Sequence, residues 1–198
     1  MGIFKQQNNS FIQAFIKKAP DSRFFGPDTG LIRLNHNEMT GLLPPSFVPS
    51  LLKNKNILST YPSYDELHKI ISAYIGIPEG YVQTVNGSDD AIPKLIRILF
   101  NNAKSVILPV PVFPTYERAL KIEGVSITEI PYIEESNEFT FPLDAVKKAI
   151  RSKTNQGLVI CNPSNPLGSG IDKKTLASLI SETKNARIPL IVDEAYFE

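Results

Sequence analysis

Residues 157–193 read GLVICNPSNPLGSGIDKKTLASLISETKNARIPLIVD, and the parsing of this stretch decides the fold. Leu158, Val159, Ile160 and Cys161 form an apolar run of strand length, and Leu190, Ile191 and Val192 form a second. Between them, DKKTLASLISET (172–183) carries its apolar residues at helical spacing. Short apolar strands that do not alternate with polar residues, joined through an amphipathic helix, are the pattern of a parallel sheet buried on both faces.

The same alternation runs outward toward the N-terminus. PLDAVKKAIRS (142–152) reads as helix, VSITEI (125–130) as strand, TYERALKIEG (115–124) as helix and SVILPV (105–110) as strand. Before these, NGSDDAIPKLIRILF (86–100) reads as a helix that Ser88 can cap, with Asp89 and Asp90 in its first turn. Leu95, Ile96, Leu99 and Phe100 are expected on its buried side, and Pro93 is expected to cost a backbone bond or kink its start. YVQTV (81–85) has the length of a strand, and YDELHKIISAYIG (64–76) is a helix ending at Gly76. The expected class is α/β, a mostly parallel sheet flanked by helices. Residues 1–58 are rich in Pro and Gly, with short helices expected near 10–18 and 46–53. They read as an arm, and 59–198 as the main domain.

Composition narrows the function. The chain has 198 residues, 42% hydrophobic and 21% charged, which suffices for a packed core. With 21 Lys+Arg against 20 Asp+Glu, the charge offers no basis for binding nucleic acid or a membrane surface. Cys161 is the only cysteine, so there is no disulfide and no cysteine-based metal framework. His36 and His68 share no ligand spacing. No apolar run reaches the length that crosses a bilayer and no signal segment is evident, so a cytoplasmic protein is expected.

In sheets of this class ligands lie beyond the carboxyl ends of the strands, and three segments fall there. NGSDD opens a helix whose free amides suit a phosphate, with Gly87 allowing close approach and Ser88 offering a hydroxyl. Plain capping by Ser88 explains the same residues, and both readings stand. CNPSNPLG holds two Asn-Pro steps, each a restricted turn. It either fixes the Asn165 amide as a donor to a ligand oxygen or is a simple turn. GSGIDK lacks the third glycine of a dinucleotide fingerprint and is rejected as one. In IVDEAYFE, Asp193 leaves a buried strand, a costly place for a carboxylate unless a cation meets it; capping of the next turn is the other reading. Taken together, the three describe a ligand with a phosphate, a ring oxygen and a cationic nitrogen. Pyridoxal 5′-phosphate (PLP) has all three, and a carboxylate beside its pyridine nitrogen keeps that nitrogen protonated.

The sequence resembles the PLP-dependent aminotransferases of fold type I, class I/II, most closely the histidinol-phosphate aminotransferase-like group. LNHNE (34–38), YPSYDELHKIIS (61–72), NGSDDAI (86–92), CNPSNPLG (161–168) and IVDEAYFE (191–198) resemble its blocks, in its order. The resemblance implies that Ser88, Asp89 and Asp90 line the phosphate cradle and that Asn165 and Tyr196 reach the ring oxygen. It implies that Asp193 pairs with the pyridine nitrogen. Tyr61 would extend to the cofactor of a neighbouring subunit, hence a homodimer. Counting back from Gly124, the family's stacking tyrosine falls on Phe113, which keeps the ring and loses the hydroxyl. Asp90 stands where the family often has Glu, and Leu167 replaces its usual Thr.

The resemblance further implies amino-acid and 2-oxo-acid substrates. In the family, the Schiff-base lysine and a carboxylate-binding arginine lie beyond the DEAY strand, so no catalytic lysine is assigned here. The chain is expected to be a fragment of a longer enzyme, inactive alone. Two other readings accompany this one: a PLP-dependent decarboxylase of an amino-acid phosphate, and a non-catalytic cofactor-binding remnant with an unpaired sheet edge.

Overall fold

A computed structural model of the chain describes residues 37, 44–53, 56, 59–136 and 138–197. The helix expected near 10–18 lies outside the described residues. The chain divides into two units, Met1–Pro62 and Ser63–Glu198. In the first, one short helix is described, α1 (Phe47–Leu51), within the stretch where a helix is expected.

In the second unit the elements follow in chain order as α2 (Asp65–Ile75), a 3-10 turn (Glu79–Tyr81), α3 (Ser88–Phe100), β1 (Ser105–Val110), α4 (Pro114–Ile122) and β2 (Ser126–Pro131). Then come β3 (Ile133–Glu135), β4 (Glu138–Thr140), α5 (Leu143–Arg151), β5 (Leu158–Cys161), α6 (Lys173–Ala186) and β6 (Leu190–Asp193). Four strands form one sheet in the order β2-β1-β5-β6, every pairing parallel. The small β3–β4 hairpin is antiparallel and was not expected from its sequence, in which Glu134, Glu135 and Glu138 leave little apolar pattern.

Strand periodicity sorts the core into two layers. Val106, Leu108, Val159, Cys161 and Ile191 pack with Ile92, Ile96 and Phe100 of α3 and with Tyr116, Ala119 and Leu120 of α4. The residues between them, Ile107, Leu158 and Ile160, pack with Val146 and Ile150 of α5 and Leu179 of α6. Side chains alternate across a strand, so helices on both faces make β1 apolar from Val106 onward and β5 apolar throughout. All of Val106, Ile107, Leu108, Leu158 and Val159 are fully buried. Gly157 opens β5 where the Phe100 ring lies against the backbone; a Cβ there would run into that ring.

Two expectations need correction. Residues 82–85 form no strand and pair with none among the described residues; Thr84 meets His68 of α2 at 3.1 Å, and the segment leads from the 3-10 turn into α3. On α3 the buried stripe is Ile92, Ile96 and Phe100, a clean i, i+4 row, while Leu95 and Leu99 are each 39% exposed. The helix runs through Pro93 without a break in its assignment.

The sheet order also locates a site. From β1 the chain moves outward to β2, then returns to place β5 on the other side of β1. The segments leaving β1 and β5 therefore part toward opposite faces, α4 on one and α6 on the other. Such a reversal opens a crevice at the carboxyl ends of the strands.

Candidate cofactor site

At that reversal the chain forms a recess of about 40 Å3. Four segments supply its lining: Ser88 from the start of α3, Phe113 from the turn after β1, Cys161, Pro163 and Asn165 from the end of β5 and its loop, and Asp193, Ala195 and Tyr196 from β6 and beyond. Five of the residues expected from sequence thus meet in one place: Ser88, Phe113, Asn165, Asp193 and Tyr196.

The start of α3 is built differently from the expectation. Gly87, not Ser88, is the N-cap, at φ 75° and ψ 177°, and no side chain caps the helix. An L-residue is strained at that φ, and a Cβ on Gly87 would meet no atom within 4 Å. Space is open there for a ligand to approach the backbone. The Ser88 hydroxyl has no hydrogen bond among the described residues, so capping does not account for it.

Asp89 and Asp90 do not line the recess. Thr115 Oγ1 donates to Asp89 at 3.0 Å. Asp90 accepts from Lys94 Nζ at 2.7 Å and from the Asn86 amide at 3.1 Å. These bonds, the lysine's first, hold the Asp90 carboxyl below its usual range. Both acids are tied to partners on this chain: Lys94 offsets the charge of Asp90, and the Thr115 hydroxyl fixes the direction of the Asp89 carboxylate.

The two Asn-Pro steps do different work. Asn162 is structural: its Oδ1 accepts from the Ile171 backbone N–H at 2.7 Å, and its own backbone N–H donates to the Asp193 carbonyl at 2.8 Å. The loop is further closed by Gly168 N–H to the Ser164 carbonyl at 2.7 Å. Asn165, held at the tip of this closed loop, makes no side-chain hydrogen bond among the described residues. Phe113 is half-buried against the α3/α4 core layer and also faces the recess, so its core and site readings coexist.

Asp193 ends β6 beside its register partner Cys161. Its compensation comes from neutral donors: none of the ion pairs among the described residues includes it. Tyr116 Oη donates to Oδ2 at 2.8 Å, the Cys161 thiol approaches the same oxygen at 3.9 Å, and the Ala195 amide donates to Oδ1 at 3.0 Å. Burial, and then the charge of Asp193, push the Tyr116 phenol far above its ordinary value. The same causes push the Cys161 thiol up to about 12. Both therefore remain protonated donors at neutral pH.

Tyr116 and Cys161 are the residues that sequence reasoning missed. Cys161 appeared only as an unpaired thiol at the end of a strand, whereas its register with Asp193 is a property of the folded sheet. Tyr61 belongs to the other unit, and its side chain is exposed. Among the described residues no cluster of three or more His, Cys, Asp or Glu forms a metal site, and no helix is long and apolar enough to cross a membrane.

A parallel sheet with paired helix layers and a polar site at its reversal point defines a class of protein, and comparison with known proteins identifies it. The model for "Aminotransferase class I and II" matches residues 29–198, and the chain belongs to that family. It is 30% identical over 171 residues to the histidinol-phosphate aminotransferase of Desulfitobacterium hafniense (strain DSM 10664 / DCB-2), covering 84% of this chain and 47% of that protein. It is 30% identical over 157 residues to a protein of Caldanaerobacter subterraneus subsp. tengcongensis named "Putative threonine-phosphate decarboxylase", covering 78% and 41%.

Among solved structures, the N-succinyldiaminopimelate aminotransferase of Mycobacterium tuberculosis superimposes with a TM-score of 0.69 at 22% identity, over 77% of this chain and 42% of that one. The histidinol-phosphate aminotransferase of Sinorhizobium meliloti, solved in complex with pyridoxal-5′-phosphate, gives 0.67 at 17% identity, over 77% and 41%. These two establish the shared fold. The chain spans about half the length of the curated relatives it matches.

Proposed function

We propose that this chain supplies the PLP-holding wall of an aminotransferase that moves an amino group between an amino acid and a 2-oxo acid. The observation that carries the proposal is the meeting of Ser88, Phe113, Asn165, Asp193 and Tyr196 around one recess at the sheet reversal. Their chemistry fits the group. Open space at Gly87 and an uncommitted Ser88 hydroxyl suit a phosphate. An uncommitted Asn165 amide suits a ring oxygen, and a carboxylate fixed by neutral donors suits a ring N–H. The recess is small, about 40 Å3, so these residues would hold the cofactor from one side and further walls would come from elsewhere.

When bound, PLP supplies an electron sink that stabilises charge developing on the substrate. The chain's own residues bind, orient and screen. Ser88 and the free amides at the start of α3 anchor the anion, and Phe113 stacks on a ring face. Asn165 and Tyr196 fix the ring's rotation about that face. Asp193 holds a proton on the ring nitrogen by pairing with it. Asp89 and Asp90 contribute through the backbone of the helix start rather than through their carboxylates. Tyr61 reaches the cofactor phosphate of a second subunit, so the working form is a homodimer.

Amide NMR of the chain titrated with PLP tests the reading. Saturable shifts at Ser88, Asn165, Asp193 and Tyr196 are expected; shifts confined to surface lysines would sink it. The decarboxylase named among the relatives gives a second reaction specific support. The two are separated by product in any active preparation: transfer yields a 2-oxo acid from the amino donor, whereas decarboxylation releases carbon dioxide.

A further inference from the structure

We infer that Tyr116 is a positioning residue for Asp193, leaving that carboxylate a single acceptor site for one outside donor; this rests on the cofactor reading above. An ionised carboxylate has about four lone-pair sites. Two on Oδ2 face Tyr116 Oη at 2.8 Å and, more weakly, Cys161 Sγ at 3.9 Å. One on Oδ1 receives the Ala195 amide at 3.0 Å. Among the described residues one remains, on Oδ1, and Asp193 lines the recess.

The Tyr116 bond is long-range, joining residues 77 apart. Tyr116 lies in α4 with only 2% of its surface exposed, packed among Ile92, Ile96 and Leu120. Such a ring has no freedom to swing, so its hydroxyl fixes where Oδ2 sits and hence how the carboxylate plane is turned. Phe113 lies one helical turn earlier and is the N-cap of the same helix. The residue set to stack on the cofactor and the residue set to orient its ring partner are therefore coupled through α4. A carboxylate with one open site prefers a ligand bringing a single N–H over a bidentate guanidinium, which needs two.

The test compares the chain with its Tyr116→Phe and Asp193→Asn variants, using thermal unfolding to confirm that each remains folded. The first readout needs no cofactor: the amide shift and hydrogen exchange of Ala195, the group bonded to Oδ1. Tyr116→Phe should release the carboxylate, moving the Ala195 resonance and raising its exchange rate at least several-fold, as Asp193→Asn also should. An Ala195 amide unchanged in folded Tyr116→Phe overturns the inference.

The second readout is the PLP dissociation constant, expected to rise on the order of tenfold in Tyr116→Phe. It should be restored toward the starting value in Tyr116→His, whose ring N–H can donate to the same oxygen. An affinity unchanged in Tyr116→Phe counts against the inference. Failure of the parent chain to bind PLP sinks the cofactor reading instead, and the Ala195 readout still decides whether Tyr116 holds Asp193.

Discussion

The two ends of the sheet make opposite use of polar side chains. At the amino ends of the strands lies the larger cleft, about 880 Å3, with Arg151, Asn155, Gln156 and Glu182 in its lining. There the polar groups satisfy one another. Arg151 pairs with Glu182, with Nε to Oε2 at 3.1 Å. Asn155 accepts from Thr128 at 2.6 Å and donates to the Ala149 carbonyl at 3.1 Å, and Gln156 accepts from the Lys104 amide. At the carboxyl ends the recess is some twenty times smaller, yet among the described residues the side chains of Ser88 and Asn165 are uncommitted and Asp193 keeps an open acceptor. The larger cleft is where chain segments are stitched together; the unspent hydrogen-bonding capacity of the smaller recess is what the proposed cofactor reading rests on.

Substitutions should separate the two ends, and the largest effect belongs to Asp193. Asp193→Ala is expected to weaken PLP binding about a hundredfold, the scale of removing one partner from a desolvated charge pair; fluorescence titration measures it, and an effect below threefold would erase the contrast. Asn155→Ala should do the reverse. It leaves the Ala149 carbonyl and Thr128 short of a partner in a site only 4% exposed, a loss of about 1–3 kcal/mol in urea unfolding with unchanged affinity.

Next comes Gly87→Ala, which forces a Cβ onto φ 75°. A cost of about 1–2 kcal/mol is expected, together with weaker PLP binding, because the helix start must shift. A smaller effect is expected of Thr115→Val, which frees the Asp89 carboxylate beside the helix start. PLP affinity should fall a few-fold, and the deficit should shrink at high salt. Smallest of all, Glu182→Ala should leave affinity unmoved and lower the unfolding midpoint only slightly, since the Arg151 partner is largely exposed.

The thiol gives a pH test. With its pKa pushed up to about 12, chiefly by burial, Cys161 should resist alkylation at pH 8 while the unfolded chain reacts readily. Rapid labelling of the folded chain would mean that the end of β5 opens. The sign for Asp172 runs the other way. Its carboxyl is lowered by accepting from Thr175 at the start of α6, so that cap is fully present above the unfolded carboxylate pKa. It is lost as pH falls through the folded one.

How much of this was legible in sequence follows from which signals are local. The buried strands and the covering helices were, because β1 from Val106 onward and all of β5 are apolar and the helices keep helical spacing. Ser88, Asn165, Asp193 and Tyr196 could be picked out as site candidates because they cluster at a helix start and at or beyond the carboxyl ends of two strands. What was not legible depends on pairing across the fold. Residues 82–85 carry strand composition but have no partner strand among the described residues, and Gly87 rather than Ser88 takes the cap. Leu95 and Leu99 look as apolar as Ile92 and Ile96, yet the axis of α3 turns the Ile92–Ile96–Phe100 row inward. Tyr116 reads as one more helix aromatic until the fold brings its hydroxyl to a carboxylate 77 residues away.

The most direct test of the central claim compares PLP binding by the chain and by its Asp193→Asn variant, which preserves side-chain shape and removes the charge. Saturable one-to-one binding by the parent, at least tenfold weaker in folded Asp193→Asn, is the expected result. Equal affinity in the two, or no binding by a folded parent chain, would contradict it.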